Sequence, residues 1–138
     1  MASDLFVFNT ADWADGKNSL KEKIAALITG HGAVSQNFDS VKEYYRYQEL
    51  CLLENAGTIQ NLERQAVLII QDGCDYQGEH LRPIRYCADF RYDENGVTVI
   101  EDVKGYDEKK KKWLTTQVFD LKWKLLKAKY PNYKFHLY

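Results

Sequence analysis

One stretch limits the possible folds more than any other: "YCADFRYDENGVTVIEDVKG", residues 86–105. Aromatic and β-branched residues run on both sides of Asn95-Gly96. That dipeptide tolerates the two successive positive φ angles of a two-residue hairpin turn. The spacing predicts an antiparallel pair with residue 93 opposite 98, and therefore Asp89 opposite Asp102. Side chains alternate along a strand, so Ile100, Asp102 and Lys104 share one face while Val99, Glu101 and Val103 share the other.

Two opposed carboxylates repel unless a cation stands between them. Lys104 offers one positive charge and a divalent ion offers two. Carboxylate oxygens with few other constraints suit magnesium, with manganese able to substitute, and such ions take phosphate oxygens as further ligands. The Asp-x-Lys spacing alone fits a solvated, charge-decorated hairpin equally well.

The rest of the chain supplies elements to pack on this hairpin. "NSLKEKIAALITGHG" reads as a short helix, with a Ser19/Glu22 capping box, an apolar stripe of Leu20, Ile24, Leu27 and Ile28, and Gly30 at its end. A longer helix is expected from about Ser40 to Asn55. There Glu43 is the third residue after the Ser40 cap and shares a face with Tyr47, Leu50 and Glu54. "RQAVLIIQ" reads as a strand opened by Gln65. Leu114, Val118, Leu121 and Leu125 mark the expected apolar stripe of a second helix running to about Lys129, which Pro131 stops. "YKFHLY" alternates like a closing strand. The order is helix, three strands, helix, strand, after a small N-terminal helix. An α/β fold with a mixed central sheet is the economical arrangement.

The 138 residues suit one domain, taken as residues 1–138 with an N-terminal extension over 1–37 and a core over 38–138. No apolar run reaches membrane-spanning length and the N-terminus lacks a signal pattern, so no membrane partner is expected. Cys51, Cys74 and Cys87 are odd in number and never spaced C-x-x-C, which fits a reducing, cytoplasmic setting. The net charge of −1 hides an asymmetry. Residues 1–103 hold nine Lys/Arg against seventeen Asp/Glu, a balance of −8, and residues 104–138 hold ten lysines against three acids, a balance of +7. A lysine-rich third is how a chain that is not basic overall meets a phosphate backbone, and it is equally how a helix stays soluble.

Lys122, Lys124, Lys127 and Lys129 interleave with Trp123 and lie mostly off that stripe. His31, His80 and His136 are scattered without ligand spacing. Gly30-His31-Gly32 is no phosphate loop, since no strand precedes it and no G-K-[ST] follows.

From "FDSVKEYYRYQELCLLENAGTIQNLERQ" through "YCADFRYDENGVTVIEDVKG" to "FDLKWKLLKAKYP", the chain resembles a family of small phage and prophage proteins of the PD-(D/E)XK nuclease superfamily, to which restriction endonucleases and Holliday-junction resolvases belong. The resemblance covers roughly residues 38 to 137. It implies a restriction-endonuclease-like core, α-β-β-β-α-β. It also implies that Asp89 is the first metal-binding acid, Asp102 the (D/E) position and Lys104 the lysine of the motif. Glu43 matches a glutamate of the first helix, Gln65 a glutamine before the first strand, and Lys122 a lysine of the second helix. Alanine stands at position 88, where the superfamily often has proline.

The function so implied is magnesium-dependent hydrolysis of DNA, selective for branched molecules, in phage recombination or replication in the host cytoplasm. Asp89, Asp102, Glu43 and the Val103 carbonyl would hold the metal. Lys104 would support the nucleophile or the charge building on the phosphate. Lys122, Lys124, Lys127 and Gln65 would contact DNA, and a homodimer is implied by the relatives alone. The alternative is a non-catalytic DNA- or partner-binding component that keeps the fold.

Overall fold

A computed structural model describes residues 38–138, and the helix expected over residues 19–30 lies outside them together with His31. The chain divides after Ile59 into two compact units, the second running from Gln60 to Tyr138.

The described part of the first unit is helix α1, Val41–Asn55. Ser40 caps it in extended conformation, its Oγ accepting the Glu43 N–H at 3.1 Å, as the cap spacing predicts. The Phe38 ring meets those of Tyr44 and Tyr47 at 5.1 and 5.6 Å, clamping the entry to the helix. Glu43, Tyr44, Glu49 and Leu50 are buried. Arg46 reaches Glu49 over 3.1 Å, giving that buried acid a cation one turn away.

The second unit is built on a four-stranded mixed sheet. Its strands are β1 (Gln60–Gln71), β4 (Ile84–Glu94), β5 (Val97–Asp102) and β8 (Lys134–Leu137), in that spatial order. β1 and β5 both run antiparallel to β4, and β8 runs parallel to β5. Asn95 and Gly96 adopt φ of 52° and 77°, and Asp93 pairs with Thr98, so the turn sets the register its residues predict. The parallel strand is reached through helix α2, Gln117–Lys129. Thr116 caps α2 by accepting the Phe119 N–H, and Lys127 and Lys129 sit in its last turn, where the helix dipole favours cations.

Two small hairpins complete the unit: β2–β3 (Cys74–Tyr76, Glu79–Leu81) and β6–β7 (Gly105–Asp107, Lys112–Leu114). Neither was expected. Gln77-Gly78, at φ of 46° and 83°, is a turn signal of the same kind as Asn95-Gly96. None of the three cysteines is in a disulfide, and among the described residues no helix is long and apolar enough to cross a membrane.

The second helix corrects the sequence reading. Leu114 belongs to β7, and Val118, Leu121 and Leu125 are 63%, 60% and 42% exposed. The buried stripe is Phe119, Trp123 and Leu126, which packs on Leu68, Ala88 and Ile100 of the sheet, with Tyr86 and Phe135 alongside. Both stripes have helical spacing. The aromatic one prevails because Phe and Trp remove far more apolar surface from water than Val and Leu, at roughly 25 cal/mol per Å2.

The start of the first strand also moves. β1 begins at Gln60, so Gln65 stands inside it, between the pairs Arg64–Phe90 and Ala66–Ala88. Its φ is 53°, in a region that non-glycine residues seldom adopt.

Candidate functional site

The acids and the lysine singled out from the hairpin meet at the end of β5. The ladder with β4 is paired as far as Phe90 and Glu101. One residue further, side chains take over. The Asp89 N–H donates to Asp102 Oδ1 at 3.1 Å, and the Val103 N–H donates to Asp89 Oδ2 at 2.8 Å. Each carboxylate therefore accepts from the main chain of the opposite strand, which holds both side chains in place.

Lys104 completes the group. Its Nζ lies 2.9 Å from Asp102 Oδ2 and 4.4 Å from the centre of the Phe119 ring. Its main chain is tied down as well, because Lys104 N–H donates to the Tyr138 carbonyl and Tyr138 N–H donates to the Asp102 carbonyl. The last strand thus extends its parallel pairing just far enough to anchor the lysine. Asp102 is buried, at 2% exposure, and a buried carboxylate needs such partners.

A fourth residue was missed. The Tyr86 hydroxyl donates to Asp102 Oδ2 at 2.6 Å. Burial first, then the bond to Asp102, pushes this phenol well above the ordinary tyrosine range, so it stays a hydrogen-bond donor. Its ring lies 6.0 Å from both Phe119 and Trp123. Period-two alternation puts residues 86 and 89 on opposite faces of β4, so no signal in the sequence couples Tyr86 to the acids.

Asp102 thus takes three donors: the Asp89 N–H on Oδ1, and Tyr86 and Lys104 on Oδ2. An ionised carboxylate offers about four acceptor positions, so one remains on Oδ1. With the neighbouring Asp89, that makes an oxygen-only donor set compatible with a hard divalent cation.

Glu43 is buried on α1, in the first unit. Gln65 accepts a bond from the Cys87 thiol at 3.2 Å. Lys122 Nζ donates to the Arg85 carbonyl at 3.3 Å, while Lys124 and Lys127 are exposed on α2. His136 lies on β8 beside Glu101, 4.0 Å from its Oε1, an oxygen that also accepts from the Tyr92 hydroxyl at 2.9 Å. His80 pairs with Asp75 on the exposed β2–β3 hairpin.

The fold and this cluster define an α/β protein with a mixed sheet and an acid–acid–lysine group at one strand end. A family model described as "Protein of unknown function (DUF1064)" matches residues 28–138, and the chain belongs to that family. No curated protein and no solved structure matches it.

Proposed function

We propose that the chain is a metal-dependent DNA endonuclease of the PD-(D/E)XK kind, with a restriction-endonuclease-like core and selectivity for branched DNA. One observation carries the reading: Lys104 Nζ stands 2.9 Å from an oxygen of Asp102 whose other oxygen accepts the main-chain N–H of Asp89. Two acids and a lysine are thereby fixed on two adjacent strands, in an arrangement suited to a phosphodiester and its counter-ions.

Hydrolysis adds water across a P–O ester bond and leaves a phosphomonoester and a hydroxyl. Asp89 and Asp102 would hold one or two magnesium ions, with Glu43 and the Val103 carbonyl as further ligands by resemblance. When bound, such an ion polarises a phosphoryl oxygen and makes water more acidic. Lys104 has two tasks. It compensates the buried charge of Asp102 before metal arrives, and it stabilises the negative charge that builds on the phosphate oxygens. Phe119 beneath its ammonium group restricts where that charge sits. The exposed Lys124 and Lys127 would position the DNA backbone, which makes binding salt-dependent and largely indifferent to sequence. A symmetric dimer suits a four-way junction.

The test is cleavage of a labelled four-way junction and a matched linear duplex, with magnesium or chelator, by wild type, Asp102→Asn and Lys104→Gln. Junction-selective, metal-dependent cutting that both variants lose by at least about a hundredfold supports the whole reading. Equal cutting of both substrates keeps the nuclease and removes the junction selectivity. Absence of cutting with magnesium or manganese, alongside retained salt-sensitive DNA binding, overturns the enzyme in favour of a binding component.

A further inference from the structure

The β6–β7 hairpin, "GYDEKKKKWL", supplies none of the acids or the lysine of the proposed site. It forms a two-stranded sheet of its own, pairing Gly105 with Leu114, Tyr106 with Trp113 and Asp107 with Lys112. Isolated hairpins of this length are marginal in water, so something must hold it. Tyr106 and Trp113 face each other directly across the strands, with ring centroids 5.0 Å apart at 66°. Such an edge-to-face pair is attractive beyond the area it buries. Gly105 permits the close approach of Leu114, whose Cδ1 would lie only 3.1 Å from a Cβ at that position.

The tip is equally constructed. The Asp107 carboxylate accepts the main-chain N–H groups of both Lys109 and Lys110, at 3.0 and 3.1 Å. Lys111 turns the chain with a φ of 51°. One of the two acids of this segment is thus engaged in shaping the turn, and Lys109, Lys110, Lys111 and Lys112 are all exposed around it. Tyr106 is 40% exposed and Leu114 is 57% exposed, so aromatic and apolar surface adjoins the lysine tip. Four clustered ammonium groups beside an exposed ring form the combination that binds a polyanion carrying flat bases.

Position along the chain matters as much. Gly105 follows Lys104 directly, and Leu114 precedes the Thr116 cap of α2 by two residues. Three residues of strand at about 3.3 Å each put the lysine tip on the order of 10 Å from Lys104, about three nucleotides along a strand. We infer that the β6–β7 hairpin is a nucleic-acid contact arm, whose lysine tip neutralises backbone phosphates and whose Tyr106–Trp113 pair offers a ring to a base. The substrate class rests on the nuclease reading; the arm itself is tested without cleavage.

The experiment measures binding of a fluorescent junction oligonucleotide in chelator over a series of salt concentrations. It compares wild type with a quadruple variant carrying Lys109→Gln, Lys110→Gln, Lys111→Gln and Lys112→Gln, whose fold is checked by circular dichroism. Each lost phosphate contact lowers the salt slope by about 0.9. The variant should therefore show a slope smaller by up to about 3.6 and an affinity reduced about tenfold or more at moderate salt. In parallel, DNA should quench the tryptophan fluorescence of wild type, and Trp113→Phe should reduce that quenching, Trp123 being buried. Equal slopes, or quenching undiminished in Trp113→Phe, overturn the arm. Lysine-dependent binding to anionic phospholipid vesicles without binding to DNA overturns it too. Cleavage by wild type with equal slopes removes the arm alone, and an altered slope without any cleavage removes the nuclease alone.

Discussion

The Asp89 N–H donates to Asp102 Oδ1 while Tyr86 and Lys104 both approach Oδ2, so the main chain of Asp89 and the carboxylate of Asp102 are one unit. Because both oxygens accept, no orientation of an amide satisfies the same partners. Asp102→Asn turns an N–H toward either the Asp89 N–H or the Tyr86–Lys104 pair. The expected loss is about 1–3 kcal/mol of stability, the cost of a buried polar group left without its partner. Thermal melting checks it, and an unchanged midpoint contradicts the bonding described.

Tyr86→Phe is a gentler probe. It keeps the ring against Phe119 and Trp123 and removes only the hydroxyl that orients Asp102. Under the proposed reading Asp102 is a metal ligand, and partners that hold such a ligand typically matter ten- to a hundredfold in metal affinity. The variant should bind manganese about tenfold more weakly by calorimetric titration, with stability within about 1 kcal/mol of wild type. Equal affinity with lowered stability would reduce Tyr86 to a packing residue.

The two stripes of α2 predict opposite outcomes. Trp123→Ala removes a buried side chain that meets Phe135 at 5.2 Å and Phe119 at 5.1 Å, and should cost about 3–5 kcal/mol. Leu121→Ala, on the exposed stripe, should stay within about 0.5 kcal/mol. Denaturant unfolding of both variants decides which face packs on the sheet.

Asp93 governs an acid limb. The Asn61 amide and the Thr98 hydroxyl bond its carboxylate at 2.8 and 2.9 Å and hold its pKa below the usual range. A depressed folded value contributes stability above the unfolded value of about 3.9, and that contribution is lost as pH falls through the lower folded value. Replacing Asn61 by Ala together with Thr98 by Val should move the Asp93 titration back up toward 3.9, read by carbon NMR. The stability gap between wild type and variant should then narrow as pH falls to the acid end. A titration that does not move contradicts the assignment.

Much of the architecture was legible because it is written in short-range rules. Asn95-Gly96 allows one tight turn, and that turn sets the pairing of Asp93 with Thr98. Ser40 and Pro131 bound their helices for equally local reasons, a side-chain acceptor and a missing N–H. The β6–β7 hairpin escaped because its turn contains no glycine; an Asp107 side chain and a left-handed Lys111 make it instead. Gln65 was placed at a strand edge because no pattern in the residues announces a positive φ within a strand.

The sequence by itself determined the hairpin, its register, the helix limits and hence which two acids and which lysine share a strand end. Only the tertiary structure decided which stripe of α2 is buried, and that the Tyr86 hydroxyl and the Phe119 ring close on Asp102 and Lys104. The division is physical. Turn and cap preferences act between residues a few positions apart, whereas burial is a competition between whole faces that is settled when the helix meets the sheet.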